Sequence, residues 1–167
     1  MRHCFIPLVV LLVCAAPVFA QNPIPKGTSQ LNFGVGLSSW GIPLYVGFDA
    51  GAKHDLSFGA EASFRYRYEK WKQDRYRNSV IGISGNGNYH FNRLFHMSSE
   101  WDLYAGLNLG FYIWNYAPGF EGPRTTGLGL GAQVGGRYYF SGRTALNLEF
   151  GSGNAFSGGK IGLTVRL

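Results

Sequence analysis

The sequence predicts an all-β chain: an eight-stranded antiparallel up-and-down β-barrel that crosses a membrane with its strands. The first observation behind this is a period of two. In residues 101–114, WDLYAGLNLGFYIW, the odd positions are Trp101, Leu103, Ala105, Leu107, Leu109, Phe111 and Ile113. The even ones are Asp102, Tyr104, Gly106, Asn108, Gly110, Tyr112 and Trp114. A strand with this pattern has two unlike faces, whereas a helix would mix Asn108 and Asp102 among the leucines. The stretch outruns a typical soluble strand and suits a tilted membrane strand, which needs about 9 to 11 residues. The second observation is 25 glycines beside 16% aromatics. Glycine weakens strands of a soluble sandwich, but the narrow lumen of a small barrel needs small residues next to large ones. After residue 20 no apolar run approaches the roughly 20 residues of a membrane helix.

The alternating segments follow in order. Residues 30–37 set Leu31, Phe33, Val35 and Leu37 against Asn32, Gly34 and Gly36. Residues 42–50 set Ile42, Leu44, Val46 and Phe48 against Pro43, Tyr45, Gly47 and Asp49. Residues 56–68 place Phe58, Phe64, Tyr66 and Tyr68 opposite Ser57, Glu61, Arg65 and Arg67. Residues 79–91 are weaker, with glycines 85 and 87 blurring an apolar face that holds Ile81, Ile83, Tyr89 and Phe91. After 101–114 come 127–140, 145–151 and 160–167, each with the same alternation. The count is eight, an even number and the smallest typical of bacterial outer-membrane barrels, whose interiors are filled by side chains. The odd residues of 101–114 then face lipid and the even ones a packed polar interior. A closed ring pairs the backbone groups that lipid cannot satisfy.

With the N-terminus in the periplasm, the external connections are 38–41, 69–78, 115–126 and 151–159. The periplasmic ones are 51–55, 92–100 and 141–144, of which 92–100 is longer than the pattern prefers. Phe64, Tyr66 and Tyr68 are expected at the outer interface, and Phe91, Trp101, Tyr138 and Phe140 at the inner one.

Residues 1–20, with Arg2 before an apolar run and Val18-Phe19-Ala20 before Gln21, read as a cleaved secretory signal rather than a membrane anchor. Val13 precedes Cys14 where lipid attachment would need a small residue. Residues 21–28 are a short periplasmic segment and 29–167 the barrel domain. Both cysteines, Cys4 and Cys14, fall in the leader, so the mature chain offers no thiol chemistry. Loss of Arg2 leaves 14 of 15 basic residues against 9 acidic ones, a net charge of about +5. An exported protein rarely meets nucleic acid, so anionic lipid or polysaccharide is the better partner.

On "YAGLNLG" (104–110), "GGRYYF" (135–140), "ALNLEFG" (145–151) and the terminal "KIGLTVRL", the chain resembles the small bacterial outer-membrane β-barrels of the OmpX/OmpA and opacity types. The resemblance covers residues 28–167. It implies a monomeric barrel in the outer membrane of a Gram-negative cell, inserted by the barrel-assembly machinery, which reads the last strand. Many such strands end in an aromatic residue; this one ends in Leu167. No peptidoglycan-binding domain is expected after the barrel, and with it no tethering of the cell wall.

The inward positions carry Asp49, Glu61, Asp102 and Glu149 with Arg65, Arg67, Arg137, Lys160 and Arg166. Their near balance of signs is expected to make a structural ion-pair plug, against the alternatives of a narrow solute pore or a catalytic carboxylate pair. Pairing Phe140 with Leu146 sets Arg137 opposite Glu149; pairing it with Thr144 sets them diagonal, about 7 to 8 Å apart. Either register predicts an Arg137–Glu149 pair. In 69–78, EKWKQDRYRN, the residues Lys70, Trp71, Lys72, Arg75, Tyr76 and Arg77 read either as a lipopolysaccharide-contact loop or as an ordinary solvated loop, with Glu69 and Asp74 diluting the charge.

An enzyme is the alternative class, because some barrels modify lipid A. The His-x-Ser-Asn-Ala stretch of the lipid A deacylases is not reproduced in "FGSGNAF", where Gly153 stands at the Ser position. His54, His90 and His96 lack metal-ligand spacing and read as structural. No cofactor and no catalytic residue are expected. A histidine within hydrogen-bond reach of a serine or aspartate near the lipid-facing rim would favour the enzyme.

Overall fold

The computed structural model describes residues 24–71, 74–118, 125–153 and 157–167. The expected leader lies outside these residues. The strands are β1 Ser29–Ser38, β2 Leu44–Lys53, β3 Leu56–Trp71, β4 Asp74–His90, β5 Trp101–Asn115, β6 Gly127–Tyr139, β7 Thr144–Gly153 and β8 Gly158–Arg166. Each is antiparallel to its neighbours, and β1 pairs with β8 to close an eight-stranded barrel.

The period-two reading decides which way each residue points. On β5, Leu107 is 70% exposed on the lipid-facing side, while Asp102, Tyr104 and Tyr112 point inward and are buried. A slip of one residue would turn every apolar side chain into the lumen, so the alternation pins the register. The interior then fills by setting large residues over small ones. Tyr104 lies opposite Gly135, where an added Cβ would sit 2.3 Å from the tyrosine Cζ. Tyr112 occupies the space at Gly82 in the same way, and the Tyr45 hydroxyl lies 2.5 Å from where a Gly162 Cβ would stand.

Some boundaries differ from expectation. Strand β2 begins at Leu44 rather than residue 42, because Pro43 has no N–H to give a ladder, and it runs on to Lys53 through an irregularity at Gly51. The largest difference is at 69–78, expected as a loop. Strands β3 and β4 continue through it in unbroken register to the pair Trp71–Asp74. The β2–β3 ladder stops at Leu44–Phe64 and the β4–β5 ladder at Ser79–Asn115. Beyond those points β3 and β4 form a two-stranded ribbon that rises roughly 20 Å from the barrel wall.

At the opposite end, where the chain enters and leaves the barrel, residues 24–28 fold back on β2. Gly27, at φ 84, lets the chain turn, and its N–H donates to the Gly51 carbonyl at 3.2 Å. Ile24 is 1% exposed. The long 92–100 connection is a folded turn: Met97 N–H donates to the Asn92 carbonyl at 2.9 Å, and Leu103 N–H to Asn92 Oδ1 at 3.3 Å. Arg93 holds its base through Asp55 at 2.5 Å. Trp101 and Tyr138 (ring centroids 4.8 Å apart) and Tyr89 and Phe91 (5.1 Å) cluster at this end, whereas Phe64, Tyr66 and Tyr68 follow one another at 6.0 Å toward the ribbon.

Candidate functional site

Two features stand apart from the scaffold: a charged lumen and the ribbon. Among the described residues, two lumenal cations are each clamped between two carboxylates. Arg137 on β6 donates from Nη1 to Asp102 Oδ2 and from Nη2 to Asp49 Oδ2, both at 2.8 Å, with all three side chains at most 3% exposed. Strands β2 and β6 stand four places apart in a ring of eight, so the Asp49–Arg137 contact spans the full bore. The remaining acceptor capacity of Asp49 is met by Asn32 Nδ2 at 2.8 Å and Gln30 Nε2 at 3.2 Å.

One layer nearer the ribbon, Lys160 Nζ donates to both Glu61 oxygens at 2.8 Å and to Glu149 Oε1 at 3.0 Å. Tyr104 joins the two layers. Its hydroxyl donates to Glu149 Oε2 at 2.8 Å, and the Arg137 guanidinium lies 4.2 Å from its ring centroid. Charges taken out of water are tolerated only when paired, and both clamped cations are, although Arg137 Nε is buried without a hydrogen-bond partner. Beside the second clamp a cavity of about 20 Å³, lined by Glu61, Ser63, Asn86, Asn108, Tyr112 and Lys160 among others, has room for about one water.

The expected Arg137–Glu149 pair is not formed. The register is the one that pairs Tyr138 with Leu146 and leaves Glu149 diagonal to Arg137. Each group finds an opposite charge directly across its other ladder, Asp102 for Arg137 and Lys160 for Glu149. Directly opposed Cβ atoms are closer than diagonal ones, so those partners win. Arg65 and Arg166 lie outside the clamps. The guanidinium of Arg65 stands 5.7 Å from the Trp114 ring centroid toward the ribbon end, and that of Arg166 stands 3.6 Å from the Tyr139 ring centroid at the other. The side chain of Arg67 lies outside the described residues.

Sequence reasoning missed one arrangement. His90 accepts or donates at both ring nitrogens, Nε2 to Ser57 Oγ at 2.8 Å and Nδ1 to Asp102 Oδ1 at 2.6 Å. The order is that of a serine nucleophile, its base and the carboxylate that orients the base. All three residues are at most 1% exposed and face the lumen, not the lipid-facing rim. Alternation alone puts Ser57, His90 and Asp102 on the inner face. Only the registers of β3–β4 and β4–β5 bring them together.

For the expected lipopolysaccharide contact, Lys70, Trp71, Arg75, Tyr76 and Arg77 are strand positions of the ribbon, and Lys72 lies outside the described residues. Arg77 is exposed, its guanidinium 5.0 Å from the Tyr66 ring centroid.

The sequence profile described as outer membrane protein beta-barrel domain matches residues 6–165. Among solved structures, the outer membrane protein OprG from Pseudomonas aeruginosa superposes with a TM-score of 0.64 at 11% identity, over 87% of this chain and 99% of that one. Yersinia pestis Ail in a phospholipid bilayer nanodisc gives 0.56 at 12% identity, over 85% and 100%. Neisserial surface protein A gives 0.55 at 17%, over 84% and 94%. A search of curated protein sequences gave no significant match.

Proposed function

The chain belongs to the outer-membrane β-barrel domain family, and from that premise we propose that it is a non-enzymatic, non-conducting barrel with a structural or surface-contact role in the envelope. The observation that carries this reading is the Asp49–Arg137 contact, which joins opposite walls of the bore at 2.8 Å. With the second clamp stacked beside it, the lumen is a crossbeam for the wall rather than a route for solute. The termini lie on the periplasmic side and the ribbon outside. The barrel works as a monomer among outer-membrane lipid and lipopolysaccharide, placed there by the barrel-assembly machinery. The test compares cells with and without the protein for small-solute uptake, lipid A composition and tolerance of detergents. Unchanged uptake and lipid A with altered detergent tolerance support the reading; a changed lipid A pattern or faster uptake overturns it.

Ester hydrolysis at Ser57 is a second reading, favoured by the Ser57–His90–Asp102 geometry alone. Against it, Ser57 has no exposed area and the Asp102 carboxylate is shared with Arg137. Labelling of the folded barrel by a fluorophosphonate, lost in Ser57→Ala, would establish it; no labelling leaves the trio as a polar strut.

A further inference from the structure

We propose that the turn at residues 92–97 is a membrane foot: Phe95, with Leu94 beside it, inserts among the acyl chains of the periplasmic-leaflet phospholipids and sets the depth at which the barrel sits. This rests on the preceding reading only in placing this end of the barrel at the periplasm.

The turn is built to hold its shape. Phe95 N–H donates to the Phe91 carbonyl and Met97 N–H to that of Asn92, both at 2.9 Å, and His96, at φ 52, closes this single helical turn in the left-handed conformation. Asn92 is 1% exposed; its side-chain amide donates to the Trp101 carbonyl, and its Oδ1 accepts from Leu103 N–H at 3.3 Å. Arg93 is tied to Asp55 of the neighbouring turn at 2.5 Å. These polar groups are turned back on the barrel, while Leu94 and Phe95 stand 59% and 61% exposed. The other two connections at this end carry no large apolar side chain, since 51–55 reads GAKHD and 141–144 reads SGRT. The 141–144 link shows how short such a connection can be, so 92–100 is longer than closing a hairpin requires.

Ring contacts fix where Phe95 lies. Tyr89 faces lipid, 40% exposed between the inward Asn88 and His90 at 2% and 1%. Phe91, two residues on, keeps that face, and its ring meets the Tyr89 ring edge-on at 5.1 Å. Phe95 then stacks on Phe91, with centroids 5.8 Å apart and planes 21° from parallel. The apolar column of the lipid-facing wall therefore runs on into the turn instead of stopping at the end of β4. Depth follows from the register. Phe91 N–H donates to the Leu103 carbonyl at 2.8 Å, which levels the two residues. Trp101 and Tyr138, opposite each other, stand one two-residue step nearer the periplasm, about 7 Å. A ring centred 5.8 Å from that of Phe91 lies within this aromatic girdle and not below it.

Continuity with the lipid-facing wall selects acyl chains as the occupant. Trp101 and Tyr138 mark the level where acyl chains give way to headgroups, and Phe95 shares that level. A contiguous apolar patch left in water would call for a protein partner, but lipid already covers the column that Phe95 ends. The backbone permits the placement as well. The amides of Phe95, His96 and Met97 all donate inside the turn, so lowering it into the girdle leaves those donors satisfied. Interfacial anchors of this kind govern how deep and at what tilt a spanning element rests.

The test uses the full mature barrel in phospholipid vesicles. A chain starting at Gln21 contains no cysteine, so one nitroxide label can be placed at Leu94→Cys with Phe95 intact. Labels at Leu107→Cys, on the lipid-facing wall, and at Gly142→Cys, in the 141–144 link, serve as references. Spin-label power saturation compares collisions with oxygen, which concentrates in the bilayer, against those with a water-soluble nickel chelate. The label at 94 is expected to favour oxygen as the one at 107 does, whereas the label at 142 favours nickel. Adding Phe95→Ser is expected to shift the label at 94 toward nickel by about tenfold, the change in partition that follows from burying one phenylalanine. Heat-dependent gel mobility shows whether each variant is folded. If Phe95→Ser does not fold, the label at 94 with Phe95 intact decides alone. Nickel access at 94 equal to that at 142, or no shift on Phe95→Ser in a folded barrel, overturns the inference. Shielding from both reagents, or dipolar broadening between labels, also overturns it, because a protein partner or a second copy would then cover the turn. Neither conductance nor lipid A composition enters these readouts, so the preceding reading stands or falls separately.

Discussion

Asp102 on β5 and Arg137 on β6 stand directly opposite each other, and Arg137 Nη1 donates to Asp102 Oδ2 at 2.8 Å with both groups removed from solvent. Asp102 also holds His90, and Arg137 also holds Asp49, so this pair is the knot of the lower lumen. Asp102→Ala strands a buried guanidinium short of one partner and is expected to cost about 3 to 5 kcal/mol. Combined with Arg137→Met, the loss is expected to be smaller than the sum of the two single losses. Reversible urea unfolding in lipid vesicles measures both; additive losses would mean that the pair is not coupled.

Glu149 tests the partner assignment. A double-mutant cycle of Glu149 with Lys160 is expected to return a coupling of about 1 to 3 kcal/mol, because the two are opposed on β7 and β8 and in contact at 3.0 Å. The same cycle with Arg137 is expected to return clearly less, since Tyr104 lies between Glu149 and Arg137. The reverse ranking would restore the pairing that the sequence pattern alone suggests.

The large-over-small packing gives a third expectation. Gly135→Ala pushes a methyl group to within 2.3 Å of the Tyr104 ring, and Tyr104 is held from both sides by Arg137 and Glu149. The cost is expected at about 1 to 3 kcal/mol. Gly127→Ala, where no atom lies within 4 Å of the new Cβ, is the matched control and is expected to change vesicle-unfolding stability little.

On the outer wall, Leu107 is 70% exposed near the middle of β5. Leu107→Arg is expected to cost about 2 to 4 kcal/mol in vesicles, and Gly142→Arg, in the turn between β6 and β7 where an added Cβ meets no atom within 4 Å, little. Equal stability of the two variants would contradict the assigned faces.

The strands and their faces were legible because a period of two can be read along each strand before its pairing partner is known, as Leu107 and Tyr104 illustrate. Strand ends were less legible. Polar residues such as Glu69 and Asp74 look like a loop along the chain, yet hydrogen-bonded pairing carries them as strand once Tyr66 and Ser79 have set the ladder. The lumen's composition was also legible, since its charged residues alternate with the apolar ones. Its pairing was not, because Asp49 and Arg137 are 88 residues apart and meet only when the ring closes. The Ser57–His90–Asp102 trio escaped for the same reason: its members share no local spacing, and three strands must be aligned before they touch.

The central claim is that the two carboxylate-clamped cations close the bore. Its most direct test is single-channel recording of the purified wild-type barrel in a planar lipid bilayer, with Asp49→Ala/Arg137→Ala/Lys160→Ala recorded alongside. The account predicts a flat current for wild type and discrete conducting steps only in the variant. Reproducible ion-conducting steps from the wild-type barrel would contradict it.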